Sequence, residues 1–127
     1  MKKIVMVDDE VDFCELIADS LKNAGLGQII TCSDSTKALG LIMDTKPDLV
    51  LLDIRMPVIS GDQIASELRA NDEFKKIPII FLTALVDNRE TQGKENFIGN
   101  NIFLAKPVKI KELINTVRNV LDNTIAP

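Results

Sequence analysis

The 127-residue sequence has no histidine, tryptophan or tyrosine, only two cysteines, and fewer basic than acidic side chains. No apolar run approaches the roughly 20 residues of a membrane-spanning helix. The run at residues 4–7, behind Lys2 and Lys3, stops at Asp8. That is short of the roughly 7–15 residues of a signal-peptide core, and cytoplasmic residence is expected. Cys14 and Cys32 lack metal-ligand spacing and read as free, partly buried thiols rather than a disulfide or redox pair. The 15 Lys and Arg against 19 Asp and Glu, a net charge of −4, leave no clustered basic surface for direct binding of nucleic acid or an acidic membrane. No Gly-rich stretch ending in Lys-Ser/Thr follows the first apolar run, which excludes a phosphate-loop nucleotide switch. Acidic side chains at positions 8–12, where a flavin phosphate loop would carry hydroxyls, exclude that class too.

What is present suits one folded domain spanning residues 1–127, with 46% hydrophobic and 27% charged residues, a balance that argues against disorder. Short β-branched runs alternate five times with helical stripes. Strands are expected near 3–8, 28–32, 48–53, 78–83 and 101–105. Unbroken apolarity at 4–7, 49–52 and 79–82 marks strands buried on both faces, as in a parallel sheet covered by helices, while 28–32 is weaker and suits an edge. Phe13, Ile17 and Leu21, then Ala38, Leu41, Ile42 and Thr45, then Ile64, Ala65 and Leu68, and finally Ile110, Leu113, Ile114, Val117 and Leu121 form stripes at helical spacing. The segment 86–101 is the least regular and is expected to hold a short helix. Gly25, Gly27, Pro47, Gly61 and Pro78 punctuate the elements. The expected fold is α/β, a doubly wound five-stranded parallel sheet in the order 2-1-3-4-5 flanked by five helices.

Polar residues stand where the apolar runs stop: Asp8-Asp9, Asp53, Thr83 and Lys106-Pro107. In such a sheet the carboxyl ends of the strands share one edge, and a crevice opens where the winding reverses, between the first and third strands. Asp8-Asp9 and Asp53 end those two strands. Alone, the Asp8-Asp9 pair would more often be a helix cap or solvated loop; its coincidence with Asp53 points to a hard cation such as Mg²⁺ held by carboxylate oxygens. Asp53 is then the candidate nucleophile, able to accept a phosphoryl group as an acyl phosphate. Lys106 would offer a point charge to Asp53 or to a phosphate oxygen, and Thr83 a hydroxyl.

Together with Leu51-Leu52-Asp53-Ile54-Arg55-Met56-Pro57 and Gly61 eight residues beyond Asp53, these signals resemble the receiver domain of two-component response regulators over essentially the whole chain. The resemblance implies a flavodoxin-like (CheY-like) fold and Mg²⁺-dependent phosphoryl transfer from a phosphohistidine to Asp53. Asp8, Asp9, Asp53 and the backbone carbonyl of Arg55 would hold the ion. It implies a cis Lys106–Pro107 bond, and a switch in which Thr83 and Phe103 change the face formed by the fourth helix, fifth strand and fifth helix. The partners it implies are a sensor histidine kinase or phosphotransfer protein and a downstream protein or effector domain; a phosphorylation-dependent homodimer is allowed. The protein would be a regulatory phosphoacceptor, not a turnover enzyme, limited to its own phosphorylation and dephosphorylation. A haloacid-dehalogenase-type phosphatase would need a second Asp where this chain has Arg55. The remaining alternative is a receiver-like interaction module that takes no phosphate.

The chain departs from the family pattern in three places. Phe103 lacks a tyrosine hydroxyl, the stretch 96–101 replaces an Ala-Gly-rich turn, and Arg55 and Leu85 offer no carboxylate or amide to orient a hydrolytic water. The residues after Leu121 are too few for an output domain, which suits either a stand-alone receiver or part of a longer regulator. Slow loss of the phosphoryl group is expected, and Leu85→Glu should speed it; an unchanged dephosphorylation rate would count against this expectation.

Overall fold

In the computed structural model, which describes residues 1–84, 97–98 and 101–123, each unbroken apolar run has become a central strand. β1 (Lys3–Val7) leads through α1 (Val11–Asn23) to β2 (Gln28–Cys32), then α2 (Ser35–Thr45) to β3 (Leu49–Asp53), and α3 (Gly61–Arg69) to β4 (Ile79–Thr83). A two-residue β5 (Phe97–Ile98) precedes β6 (Asn101–Ala105), which feeds α4 (Ile110–Asn123). The sheet order is β2-β1-β3-β4-β6-β5. Its five parallel strands therefore follow the expected order 2-1-3-4-5, with β6 as the fifth. β2 lies at the edge, where the weaker pattern had placed it.

One feature departs from the sequence expectation. Phe97–Ile98 is not part of a helix over 86–101 but pairs antiparallel with β6, Ile98 opposite Asn101. The sequence signal was there: Gly99-Asn100-Asn101 separates the apolar pairs Phe97-Ile98 and Ile102-Phe103, a composition typical of hairpin connections. Sparse helical spacing was the weaker guide. The rest of that expected helix lies outside the described residues, so four helices are seen among them.

Because successive strand residues face opposite ways, each apolar strand feeds two cores. Ile4, Met6, Leu51, Ile80 and Leu82 pack with Ile17, Leu21, Leu113 and Val117 of α1 and α4. Val5, Val7, Val50, Leu52 and Phe81 pack with Ile42 of α2 and Ile64 and Leu68 of α3. Cys14 belongs to the first layer and Cys32 lies against the second, so the sheet separates two free thiols. No described helix is long and apolar enough to cross a membrane.

Gly61 ties this framework to the end of β3. Its N–H donates to the Ile54 carbonyl at 2.8 Å, and a Cβ there would collide with the backbone oxygen of Asp53. Only a residue without a side chain lets α3 begin so close to the strand end. Gly61→Ala should therefore destabilise the fold by about 1–3 kcal/mol, as overpacked sites do, read as a lower denaturant midpoint with unchanged slope.

Candidate functional site

Parallel pairing of β1 with β3 sets Val7 beside Leu52, which brings the residues that follow, Asp8 and Asp53, together at the carboxyl edge. Asp8 is fully buried and Asp53 nearly so, while Asp9 is exposed. Carboxylate oxygens of Asp8, Asp9 and Asp53 lie within 4.8 Å of one another. Neither Asp8 nor Asp9 caps α1; the residue at that position is Glu10, with no side-chain cap bond. Instead the Asp8 backbone N–H donates to the Cys32 carbonyl at 3.1 Å, and its carboxylate accepts the Glu10 N–H at 2.9 Å. The backbone of β2 and the start of α1 thus hold Asp8 from both sides.

Lys106 enters from β6. Its ammonium is 2.8 Å from Asp8 Oδ2, 3.6 Å from Asp53 Oδ1 and 3.8 Å from Glu10 Oε1, and it stands 4.6 Å from the centre of the Phe13 ring. The Lys106 N–H donates to the Thr83 carbonyl at 3.0 Å, which ties its backbone to the end of β4; the Lys106–Pro107 bond is cis, as expected. Thr83 is buried at the end of β4, beside Ala105 in register. Two members of the site carry no signal of their own in the sequence. Glu10 is one of many acidic residues, and Phe13 falls on the apolar stripe of α1.

The charges show in the proton affinities. Burial pushes the Asp53 carboxyl up to about 6, helped by the negative charges of Asp8 and Asp9 and opposed by Lys106 and a backbone hydrogen bond from Arg55. Burial works against the Lys106 ammonium, but its hydrogen bond to Asp8 and the charges of Asp8, Asp53 and Glu10 outweigh it and raise its pKa. Burial and the Asp8 charge push the Cys14 thiol up to about 11, which leaves it un-ionised beside the site.

Of the expected site residues, Asp8, Asp9, Asp53 and Lys106 form one cluster, Thr83 adjoins it through Lys106, and Arg55 contacts Asp53 through its backbone. Phe103 stands apart. It is half-buried against the α2–α3 layer and stacks on Phe81 with ring centres 5.0 Å apart and planes 13° from parallel. With Ile54, Asp62, Ser66 and Arg69 it lines an open cavity of about 400 Å³. Leu85 lies outside the described residues.

Comparison with known proteins gives these features a context. Residues 4–118 match the response regulator receiver domain family. The chain is 36% identical over 124 residues to the phosphate regulon transcriptional regulatory protein PhoB of Pseudomonas aeruginosa, covering 97% of this chain and 53% of that one. It is 34% identical over 118 residues to the DNA-binding response regulator MtrA of Mycolicibacterium paratuberculosis, covering 92% and 50%. The chain thus spans about half the length of these curated relatives. Among solved structures, a Francisella response regulator receiver domain superposes with a TM-score of 0.84 at 26% identity, covering 98% of this chain and 99% of that one. The receiver domain of a Pseudomonas aeruginosa sensor histidine kinase, with a magnesium ion coordinated in its active site cleft, superposes with a TM-score of 0.79 at 26% identity, covering 95% and 98%.

The raised affinity of Asp53 for a proton has a consequence for stability. A carboxyl whose pKa is higher folded than unfolded binds more protons in the folded state, so its contribution to stability falls as pH rises from about 4 to about 6. Asp53→Asn removes that penalty. In metal-free buffer at pH 7 the variant should be more stable than wild type by about 1–3 kcal/mol, and the gain should fade by pH 4; denaturant unfolding at the two pH values checks both.

Proposed function

Because the chain belongs to the response regulator receiver domain family of two-component systems, we propose that it accepts a phosphoryl group on Asp53 from a phosphohistidine of a sensor histidine kinase or phosphotransfer protein. The observation that carries this reading is the arrangement around Asp53: a nearly buried carboxylate beside two further carboxylates, with the Lys106 ammonium reaching both it and Asp8. Such a group sits under like-charge strain, which incoming positive charge relieves.

Asp8, Asp9 and Asp53 offer only oxygen donors, as Mg²⁺ prefers, and the backbone carbonyl of Arg55 would complete the protein's share of its shell. When bound, the ion neutralises the oxygens of the transferring phosphoryl group. Asp53 attacks as the carboxylate. Its oxygen forms the new bond to phosphorus while the bond to the histidine nitrogen breaks, and that nitrogen keeps the electron pair. Lys106, already within reach of both Asp8 and Asp53, turns its ammonium to the phosphoryl oxygens. The Thr83 hydroxyl reads the product from the neighbouring strand end, and Phe103 follows as a purely apolar body, altering the face shared by β6 and α4.

The protein is then a regulatory phosphoacceptor with no external substrate to turn over. The relatives PhoB and MtrA are by name a transcriptional regulatory protein and a DNA-binding response regulator. A DNA-binding effector is accordingly the proposed recipient of the signal, while this acidic segment leaves the nucleic acid to it.

Incubation with Mg²⁺ and a small acyl-phosphate donor should add one phosphoryl group to the intact mass, and none to Asp53→Asn or to metal-free protein. No gain from the acyl phosphate or from phosphohistidine protein would leave a receiver fold that acts only by docking.

A further inference from the structure

The loop between β3 and α3, residues 54–60, is held at two points. At its base the Gly61 N–H donates to the Ile54 carbonyl at 2.8 Å, and at its tip the Ile59 N–H donates to the Pro57 carbonyl at 2.9 Å across Val58. Val58 has φ 72°. This is the rarer, positive-φ γ-turn, a strained conformation that a β-branched residue seldom adopts. Nothing inside the fold compensates through the side chain, since Val58 is 84% exposed.

Both ends of that turn converge on one hydroxyl. Ser35, buried at the first position of α2, donates its Oγ–H to the Pro57 carbonyl at 2.6 Å and accepts the Ile59 N–H at 3.3 Å. A serine there merely to start the helix would bond the amides of α2. Asp34 already does so, its carboxylate accepting the Thr36 N–H at 3.0 Å, and the Ser35 hydroxyl is spent on the loop. The same loop carries Arg55, two residues beyond Asp53, whose backbone helps to hold down the proton affinity of the Asp53 carboxylate. Backbone strain beside a cluster of charges persists only where its surroundings enforce it.

We propose that Ser35 is a positioning residue: its hydroxyl latches the γ-turn at Val58 and so sets the Arg55 arm of the loop and the cation affinity of the carboxylate cluster. The affinity half rests on the cluster being the Mg²⁺ site. Without the latch, Val58 relaxes toward negative φ and the arm hinges on its base contact alone. With glycine at 58 the turn is free of strain and stands without the latch.

The test uses the whole chain as wild type, Ser35→Ala, Val58→Gly and the double variant. In the metal-free proteins, NMR reads the intraresidue amide–Hα cross-peak of Val58, which is strong at positive φ; calorimetry reads Mg²⁺ affinity. Ser35→Ala should lose the strong cross-peak and bind Mg²⁺ about 10-fold more weakly, the scale of a lost outer-shell partner. Val58→Gly alone should keep wild-type affinity, and adding Ser35→Ala to it should change little. An unchanged cross-peak in Ser35→Ala, an affinity loss in Val58→Gly alone, or equal losses from Ser35→Ala in both backgrounds would overturn the latch. Wild type that takes up no Mg²⁺ would sink the proposed function and the affinity half with it, while the cross-peak decides the latch independently.

Discussion

Three carboxylates meet at the carboxyl edge of the sheet, and among the described residues a single ammonium, that of Lys106, lies with them. Two like charges about 4 Å apart repel by about 4 kcal/mol at the effective dielectric of a protein surface, a large fraction of a domain's net stability. The arrangement survives because it is imposed from outside the site. Pairing of β1 with β3 leaves Asp8 and Asp53 no other place, and the backbone bonds of Asp8 to Cys32 and Glu10 hold its direction. Lys106 relieves only part of the repulsion, and what remains adds to burial in raising the proton affinity of Asp53. A cluster in that condition takes up positive charge, whether a proton or a metal ion.

The two apolar layers supply the rigidity this requires. All five residues of β3 and of β4 are buried, so these strands cannot yield to charge repulsion at their ends without opening both cores. Past the carboxyl ends of β1 and β3, exposure begins in the connections that carry Asp9, Glu10 and Arg55. Asp53 ends a buried strand and the buried Asp8 directly follows one, while Asp9, Glu10 and Arg55 ride on the connections. That division suits the proposed reaction, in which Asp53 is held fixed while a partner's phosphohistidine is admitted.

Most of this architecture was legible in the sequence because burial on both faces writes itself as unbroken apolar runs. Residues 49–52 and 79–82 allow few other readings, and a polar residue after each run marks the edge where a parallel sheet gathers its strand ends. The illegible parts are those where the deciding contact is distant in sequence or carried by the backbone. Ser35 reads as an ordinary helix-start residue, and its bonds to Pro57 and Ile59 lie 22 and 24 positions away. Val58 reads as one more apolar residue, since its positive φ comes from backbone geometry that composition does not encode. Phe13 looks like core and is in part core, yet its ring also faces the Lys106 ammonium. Phe97–Ile98 went to a helix because two apolar residues carry less weight than a long polar stretch, although Gly99-Asn100 marked the hairpin.

The stacked pair Phe81–Phe103 bears on how the proposed switch would work without a tyrosine hydroxyl. A stacked aromatic pair is worth about 0.5–1.5 kcal/mol beyond its buried area, whereas reversing a two-state population from 1:99 to 99:1 takes about 5.5 kcal/mol of differential interaction. The stack is therefore a bias and not a lock. It holds Phe103 toward the α3 side in the form seen here, and charge-assisted hydrogen bonds from Thr83 and Lys106 to a phosphoryl group, at about 1.5–3 kcal/mol each, are enough to override it. A hydroxyl would have given the ring hydrogen-bonded end states. Without one, the two proposed positions would differ only in packing, so the balance would depend on how the open cavity that the ring borders, beside Ile54, Ser66 and Arg69, changes when the ring moves. Under the proposed switch, a receiver built this way would be set by shape at its output side and by charge at its input side.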